Sequence, residues 1–192
     1  MKHIMMILCL LLLTGNAQAV SRHQDDEQLK QGTYEVLARL LKSEVDAASL
    51  VKSLSDYQPR SPYQLETLLS LAQKLVVAKF SASDTYTMIV VCGDAVAALD
   101  GDDVGLGRLA LQMAGLRNSH DGEAFYYLEW LDGVGLPVWD MLAEATGKKA
   151  SQMRELARDG RLKEDVVCSI LLKQFYSKYE GMAEIVAKKR KK

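Results

Sequence analysis

The 192-residue chain contains little cysteine, histidine and proline, with only three residues of each type. Zinc sites are typically built from cysteine and histidine at close spacing, and neither a Cys-x-x-Cys pair nor a cysteine/histidine cluster occurs. The glycine-framed serine of hydrolases, the His-Glu-x-x-His helix of zinc peptidases and the phosphate-binding glycine loop are missing too. The sequence therefore predicts no metal site, no cofactor and no enzymatic activity.

The remaining polar candidates have simpler explanations than catalysis. His23 lies in a charged terminal segment, and His120 precedes Asp121, whose side chain is suited to cap a helix. The acidic turn Asp100–Asp103 resembles the start of a calcium loop, but a twelve-residue loop would need Glu where Leu111 stands. Neither pattern predicts a binding site.

A long apolar run is also lacking, because the longest one, Ile4–Leu13, has about half of the roughly 20 residues that a membrane span needs. It follows a basic start and precedes Ala17-Gln18-Ala19, and this order is typical of a secretory signal peptide. The pattern predicts a signal peptide over residues 1–19 with cleavage between Ala19 and Val20. The protein is then expected in the periplasm or secreted, and an anchor formed by residues 4–13 is the alternative.

Charge of one sign dominates only at the carboxyl end. Residues 20–192 hold 23 basic and 25 acidic residues, a net charge of −2, and without the last five residues the balance is 18 to 25, or −7. Those five are Lys188, Lys189, Arg190, Lys191 and Lys192. Such a run is usually a frayed, solvated terminus, and its alternative role is contact with an anionic membrane. No aromatic residue is interleaved, so specific nucleic-acid binding is not predicted.

Beyond the signal segment the two cysteines, Cys92 and Cys168, each lie among aliphatic residues. An oxidising compartment would permit one disulfide between them. Free cysteine also behaves as a small hydrophobic residue that is often fully buried, and we favour two buried thiols.

What the sequence does contain is helical periodicity. Alternating strand patterns and Asn-Gly hairpin turns are missing, and we predict an all-α protein, a compact bundle of about nine mostly short helices. The stretch Met88–Cys92 is compatible with a buried strand, although the surrounding 3.6-residue spacing favours a helix. The predicted segments are 25–42, 46–57, a helix after Ser61, a helix capped by Ser83 or Asp84, a helix after Asp102 or Asp103, 121–132, 138–146, 151–158 and 163–179.

Two of the predicted starts and one end follow from proline and glycine. Ser61 followed by Pro62 is suited to the N-cap and first position of a helix. Pro137 similarly begins a helix that Gly147 ends. Taken with the apolar start and the basic carboxyl end, the helix pattern divides the chain into four parts. They are a signal peptide at 1–19, an N-terminal helical segment at 20–45, a helical domain at 46–183 and a basic tail at 184–192.

A distinctive set of short motifs extends over most of the helical domain, from about Leu54 to Gly181. The most distinctive stretch is Gly133–Gly160, with two short glycine-ended helices, one of them begun by a proline. The motifs are Gly93-Asp94-Ala95, Ala97-Ala98-Leu99, Leu109, Leu111-Gln112-Met113, Gly135-Leu136-Pro137-Val138-Trp139, Leu142-Ala143-Glu144, Gly147-Lys148, Gly160, Leu162 and Asp165-Val166-Val167. In this order and spacing they resemble the tape-measure domain of tailed-phage tail proteins.

The resemblance implies a non-enzymatic structural or interaction protein that is derived from a prophage. Its expected partners are phage tail components. Known tape-measure proteins are long, whereas residues 20–192 would reach only about 260 Å even as one helix. Tail assembly also takes place in the cytoplasm, in conflict with the signal peptide. An alternative is therefore an exported protein that binds tail or host channel components and interferes with phage DNA entry. A location in the phage tail is the corresponding alternative to export.

Contact with partner proteins is predicted at the turn that carries Trp130, Pro137 and Trp139, since exposed aromatics are frequent binding anchors. The competing interpretation is that both indoles fill the core. Self-association is compatible with the sequence.

Overall fold

The computed structural model describes residues 24–120 and 122–191. This part of the chain contains ten α-helices, one short 3₁₀ turn and no strand, which confirms the all-α prediction. Met88–Cys92 is helical, so the strand alternative is wrong. Within the same residues, no helix combines the length and apolar character that crossing a membrane requires.

Most of the helices are short, and only four of them exceed fifteen residues. They are α1 (24–41), α2 (Glu44–Tyr57), α3 (Leu65–Val77), α4 (Ala82–Ala98), α5 (Asp103–Asn118), α6 (Ala124–Gly133), α7 (Val138–Thr146), α8 (Ala150–Arg158), α9 (Glu164–Tyr179) and α10 (Met182–Arg190), with the 3₁₀ turn at Gln58–Arg60.

Helix α4 forms the centre of the molecule. It packs against α2, α3, α5, α9 and α10, and every residue from Val91 to Ala97 is buried. A helix surrounded on all sides must be apolar or small all round, because no face reaches water. The segment Val91–Ala97 meets this condition with glycine, alanine, valine and cysteine, and Asp94 is its only charged residue.

Gly93 allows two tyrosines to approach α4 closely. A Cβ atom at this position would lie 2.7 Å from Tyr57 Oη and 3.1 Å from a ring carbon of Tyr63. The Tyr63 hydroxyl donates a 2.6 Å hydrogen bond to the Gly93 carbonyl. The glycine therefore serves helix packing here, not a turn.

The prediction that Ser61–Pro62 starts a helix is wrong, since α3 begins at Leu65. The Ser61 hydroxyl donates backward to the Gln58 carbonyl and is used to close the 3₁₀ turn. The backbone N–H of Gln64, directly before α3, donates to the Asp103 carboxylate at 2.9 Å. A residue 39 positions away thus fixes this helix start, which local sequence cannot show.

Two other helix starts also differ from the prediction. Helix α4 is capped by Ser81, whose side chain accepts a hydrogen bond from the Asp84 N–H, so neither Ser83 nor Asp84 is the cap. Helix α6 begins at Ala124, and the predicted start at Asp121 lies outside the described residues. The cap at Asp102 is confirmed, because its side chain accepts from Gly105 N–H.

Helix α10 was not predicted, and it changes the interpretation of the basic tail. Lys188, Lys189 and Arg190 form its last turn, so a frayed terminus is wrong for these three residues. The carboxylate of Asp94 on α4 accepts hydrogen bonds from Gly181 N–H at 3.1 Å and Ala183 N–H at 2.9 Å. A buried acid thus caps α10 and holds it against the core.

Candidate protein-interaction site

The turn between α6 and α7 places one of its two tryptophans in the core and the other at the surface. Trp139 is buried with 5% of its surface exposed, whereas Trp130 and Pro137 are half-buried. Gly135 has a φ of +96°, a conformation that glycine adopts readily and other residues rarely. This reversal of the chain separates the side chains that the sequence groups together.

Trp139 is covered by the side chain of Arg154. The Arg154 guanidinium is 5.1 Å from the centre of the indole, and the Phe125 ring is 6.2 Å away. The indole N–H is buried and has no acceptor among the described residues. Trp139 therefore fits the core interpretation.

Arg154 in turn is held by two acids on α6. Its Nη2 donates to Asp132 Oδ2 at 3.1 Å, and its Nε lies 2.9 Å from Glu129 Oε1 without hydrogen-bond alignment. The cleft over these groups has a volume of about 570 Å³. It is lined by Asp132, Trp139, Asp140, Ala150, Ser151, Arg154, Glu155 and Arg158. Its lining is mostly charged, and its central cation is already neutralised.

Trp130 faces a second, smaller depression, which we call the Trp130 groove. It has a volume of about 230 Å³ and lies where the end of α4, the start of α5 and the end of α6 meet. Its lining residues are Val96, Leu99, Gly101, Gly105, Arg108, Leu109, Trp130, Val134 and Leu136. Arg108 is the only charged residue among them.

Two aliphatic side chains of the Trp130 groove are open to solvent. Leu99 and Val134 each expose 43% of their surface. Gly101 and Gly105 form part of the wall, and a Cβ atom there would lie 2.6 Å and 3.2 Å from Val96 Cγ1. The groove thus combines exposed apolar groups with tightly packed backbone.

The sequence interpretation found Trp130 but missed Leu99 and Val134 as surface residues. Both follow the last residue of a helix and occupy its C-cap, and an aliphatic residue in that position is easily read as core. Their nearness to turn glycines was the available signal. Leu99 precedes Asp100 and Gly101, and Val134 stands between two glycines.

The predicted basic residues are exposed and reach back to the 3₁₀ turn. Lys188, Lys189, Arg190 and Lys191 are exposed, and Lys191 Nζ donates to the Pro59 carbonyl at 2.7 Å. Lys188 pairs with Glu184 one turn earlier at 2.8 Å. Lys192 lies outside the described residues.

Several titratable groups are buried around α4. Burial raises the pKa of Asp94 above its ordinary value, although its two backbone donors act in the opposite direction. Burial also raises the pKa of Tyr57, whose hydroxyl has no partner among the described residues.

Cys92 and Cys168 are buried free thiols in the structure. Cys92 approaches Met88 Sδ at 3.6 Å, and Cys168 approaches the Met113 carbonyl at 3.5 Å. Burial raises the pKa of both, to about 12 for Cys168.

Within residues 24–120 and 122–191, no group of three or more histidine, cysteine, aspartate or glutamate side chains is arranged to hold a metal ion. Comparison of the chain with protein-family models, with curated proteins and with solved structures gave no match. The resemblance to tape-measure domains therefore stays a prediction.

Proposed function

We propose that the protein is a non-enzymatic interaction protein of the tape-measure type, which takes an apolar helix of a phage tail protein into the Trp130 groove. The observation that carries this proposal is the groove itself. It presents Leu99 and Val134 to solvent beside a half-buried indole. Exposed apolar groups around an aromatic anchor are typical of protein-binding surfaces.

The size of the groove favours a protein partner over a small molecule. Sites for small ligands usually enclose about 300–1,000 Å³, and the Trp130 groove at about 230 Å³ falls below this range. It is sufficient for one or two aliphatic side chains of a docked helix. Arg108 at the groove would favour a carboxylate on the same helix.

Several residues that carry the tape-measure resemblance have structural roles in this fold. Gly93 is packed against tyrosines, and Asp94 caps α10. Gly147 and Gly160 both have positive φ at helix ends. These roles are general features of helical proteins, so the proposal depends on the Trp130 groove.

Cross-linking from the groove tests this proposal. A photoreactive phenylalanine analogue at Leu99 or Val134, in cells infected by a tailed phage, is expected to form a cross-link to a phage tail protein identified by mass spectrometry. Val45 on α2, with 79% of its surface exposed, is the matched control position. Equal cross-linking from Val45, or no tail protein among the products from the groove, would refute the proposal.

A second candidate function is an exported protein that binds tail or host channel components and interferes with phage DNA entry. The observation that favours it is the signal-like order of the basic start, the apolar run Ile4–Leu13 and Ala17-Gln18-Ala19. Mass spectrometry of the amino terminus in cytoplasmic, periplasmic and phage-particle fractions separates the two. A chain beginning at Val20 in the periplasm supports the second candidate, and one beginning at Met1 in particles supports a tail component.

A further inference from the structure

The basic residues at the end of α10 do not act as an isolated run, because the fold adds Arg60 to them. Helix α10 packs on the 3₁₀ turn Gln58–Arg60, and the Lys191 side chain reaches Pro59. We call the resulting surface the basic end. It consists of Arg60, Lys188, Lys189, Arg190 and Lys191, all of them exposed.

Most of this charge is available to a partner. Lys188 pairs with Glu184, and Glu184 also interacts electrostatically with Arg60 at longer range. Lys189 and Arg190 form no ion pair with a described acidic residue. Residues 20–187 without Arg60 hold 17 basic and 25 acidic residues, a net charge of −8. The molecule is therefore strongly polarised, with an acidic body and one cationic extremity.

The basic end also exposes apolar groups beside its cations. Ile185 exposes 45% of its surface, and it lies three and four residues before Lys188 and Lys189, on the same face of α10. Pro59 is exposed next to Lys191. Nucleic-acid surfaces usually add aromatic stacking groups, whereas cations around an aliphatic side chain are typical of contact with lipid headgroups.

We propose that the basic end docks on the surface of an anionic phospholipid bilayer and orients the rest of the molecule away from it. A lysine or arginine close to an anionic membrane strengthens binding by about fivefold. The acidic body is repelled by the same bilayer, which favours binding through the basic end. The Trp130 groove shares no residue with the basic end, so we expect this orientation to leave the groove free of lipid.

Vesicle sedimentation of the full-length chain tests this inference. Vesicles of phosphatidylcholine alone are compared with vesicles that contain 40% phosphatidylglycerol, because apolar residues 4–13 would bind both types and cancel in the comparison. The wild type is expected to bind the anionic vesicles at least tenfold more tightly, and less so in 0.5 M salt. Changing all four of Lys188, Lys189, Arg190 and Lys191 to Gln should remove most of this preference.

Two controls keep the test specific. The quadruple variant Lys148→Gln, Arg161→Gln, Lys163→Gln and Lys173→Gln removes equal charge from exposed positions elsewhere and should keep the preference. Arg60→Gln should lower it by about fivefold, which distinguishes a folded surface from a mere tail. Equal losses in both quadruple variants, no effect of Arg60→Gln, or binding to duplex DNA without binding to anionic vesicles would each overturn the proposal.

Discussion

Helix α4 is sealed at its centre and open at its carboxyl end. Between Val91 and Ala97 it is buried by neighbours on all sides, and its one acid is used to cap α10. Six residues after Gly93, Leu99 is 43% exposed at the Trp130 groove. Both regions contain short motifs such as Gly93-Asp94-Ala95 and Ala97-Ala98-Leu99, so a motif residue in this chain can specify the fold or lie on the surface.

The same distinction separates the two tryptophans. Trp139 is shut in by Arg154 and its acidic partners, whereas Trp130 borders the open groove. A substitution at a buried position should change the stability of the fold. A substitution at an exposed position should change the binding of a partner protein. The predictions that follow test this division, beginning with the largest effect.

The strongest test of the seal is thiol labelling. With a pKa of about 12, Cys168 has roughly a thousandfold less thiolate at pH 8 than a thiol of pKa 9.0. Cys92 is fully buried on α4 and its pKa is raised as well. Both residues should therefore resist a thiol reagent in the folded protein and react rapidly in 6 M guanidinium.

Mass spectrometry of labelled peptides reads out Cys92 and Cys168 separately from Cys9. Rapid labelling of the folded protein would show that the centre of α4 is open. Failure to label after unfolding without reductant, followed by labelling once reductant is added, would indicate the disulfide alternative instead.

Gly93→Ala should destabilise the centre of α4 by about 1–3 kcal/mol, because the added Cβ meets Tyr57 Oη at 2.7 Å. Better helix propensity offsets part of this cost. Tyr57→Phe alone should be close to neutral, since the hydroxyl it removes is buried without a partner. Urea unfolding of the single and double variants measures the coupling.

In the Tyr57→Phe background, Gly93→Ala should cost about half as much as in the wild type. Additive effects of the two substitutions would contradict a clash with the Tyr57 hydroxyl. The remaining cost is expected from Tyr63, whose ring carbon lies 3.1 Å from the added atom.

Asp94→Asn should lower the free energy of unfolding less at pH 7 than at pH 3, because the amide keeps an oxygen acceptor for the α10 N-terminus and removes a charge that burial disfavours. The pKa of Asp94 is raised in the folded state, so folding favours its protonated form. Protonation of Asp94 therefore contributes to the free energy of unfolding, and this contribution is fully present below pH 3.8. It is lost as the pH rises through the pKa of the folded state.

Urea unfolding of wild type and Asp94→Asn between pH 3 and 7 isolates this contribution, since titration of the other carboxyls largely cancels in the difference. The stability of the wild type relative to the variant should fall as pH rises from 3.8. A relative stability that rises over this interval would mean that the two backbone donors outweigh burial.

Local sequence predicted the helix boundaries that are set by a neighbouring proline or glycine. It missed the boundaries that are set by residues distant in the sequence. Pro137 and Gly147 bound α7 as expected. The start of α3 depends on Asp103, and α10 depends on Asp94, 87 residues before Gly181. Such partners cannot be recognised from the spacing of neighbouring residues.

The candidate site was predictable only in part for a related reason. Hydrophobic periodicity identifies the residues that avoid water, but it does not show which apolar residues at helix ends stay exposed. The sequence around Trp130 and Trp139 does not show which of the two is buried. The turn at Gly135 places Trp139 in the core and leaves Trp130 half-buried at the surface.

The smallest stability effect is expected at the open end of α4. Leu99→Asn should change the free energy of unfolding by less than about 1 kcal/mol, because the side chain is already 43% exposed and surface substitutions usually have small effects. The same substitution should abolish cross-linking to a tail protein from Val134 across the groove. Leu109→Asn is the matched contrast, since that leucine lines the groove from a buried position. It should destabilise the fold by several kcal/mol, and a comparable loss from Leu99→Asn would show that the carboxyl end of α4 belongs to the core as its centre does.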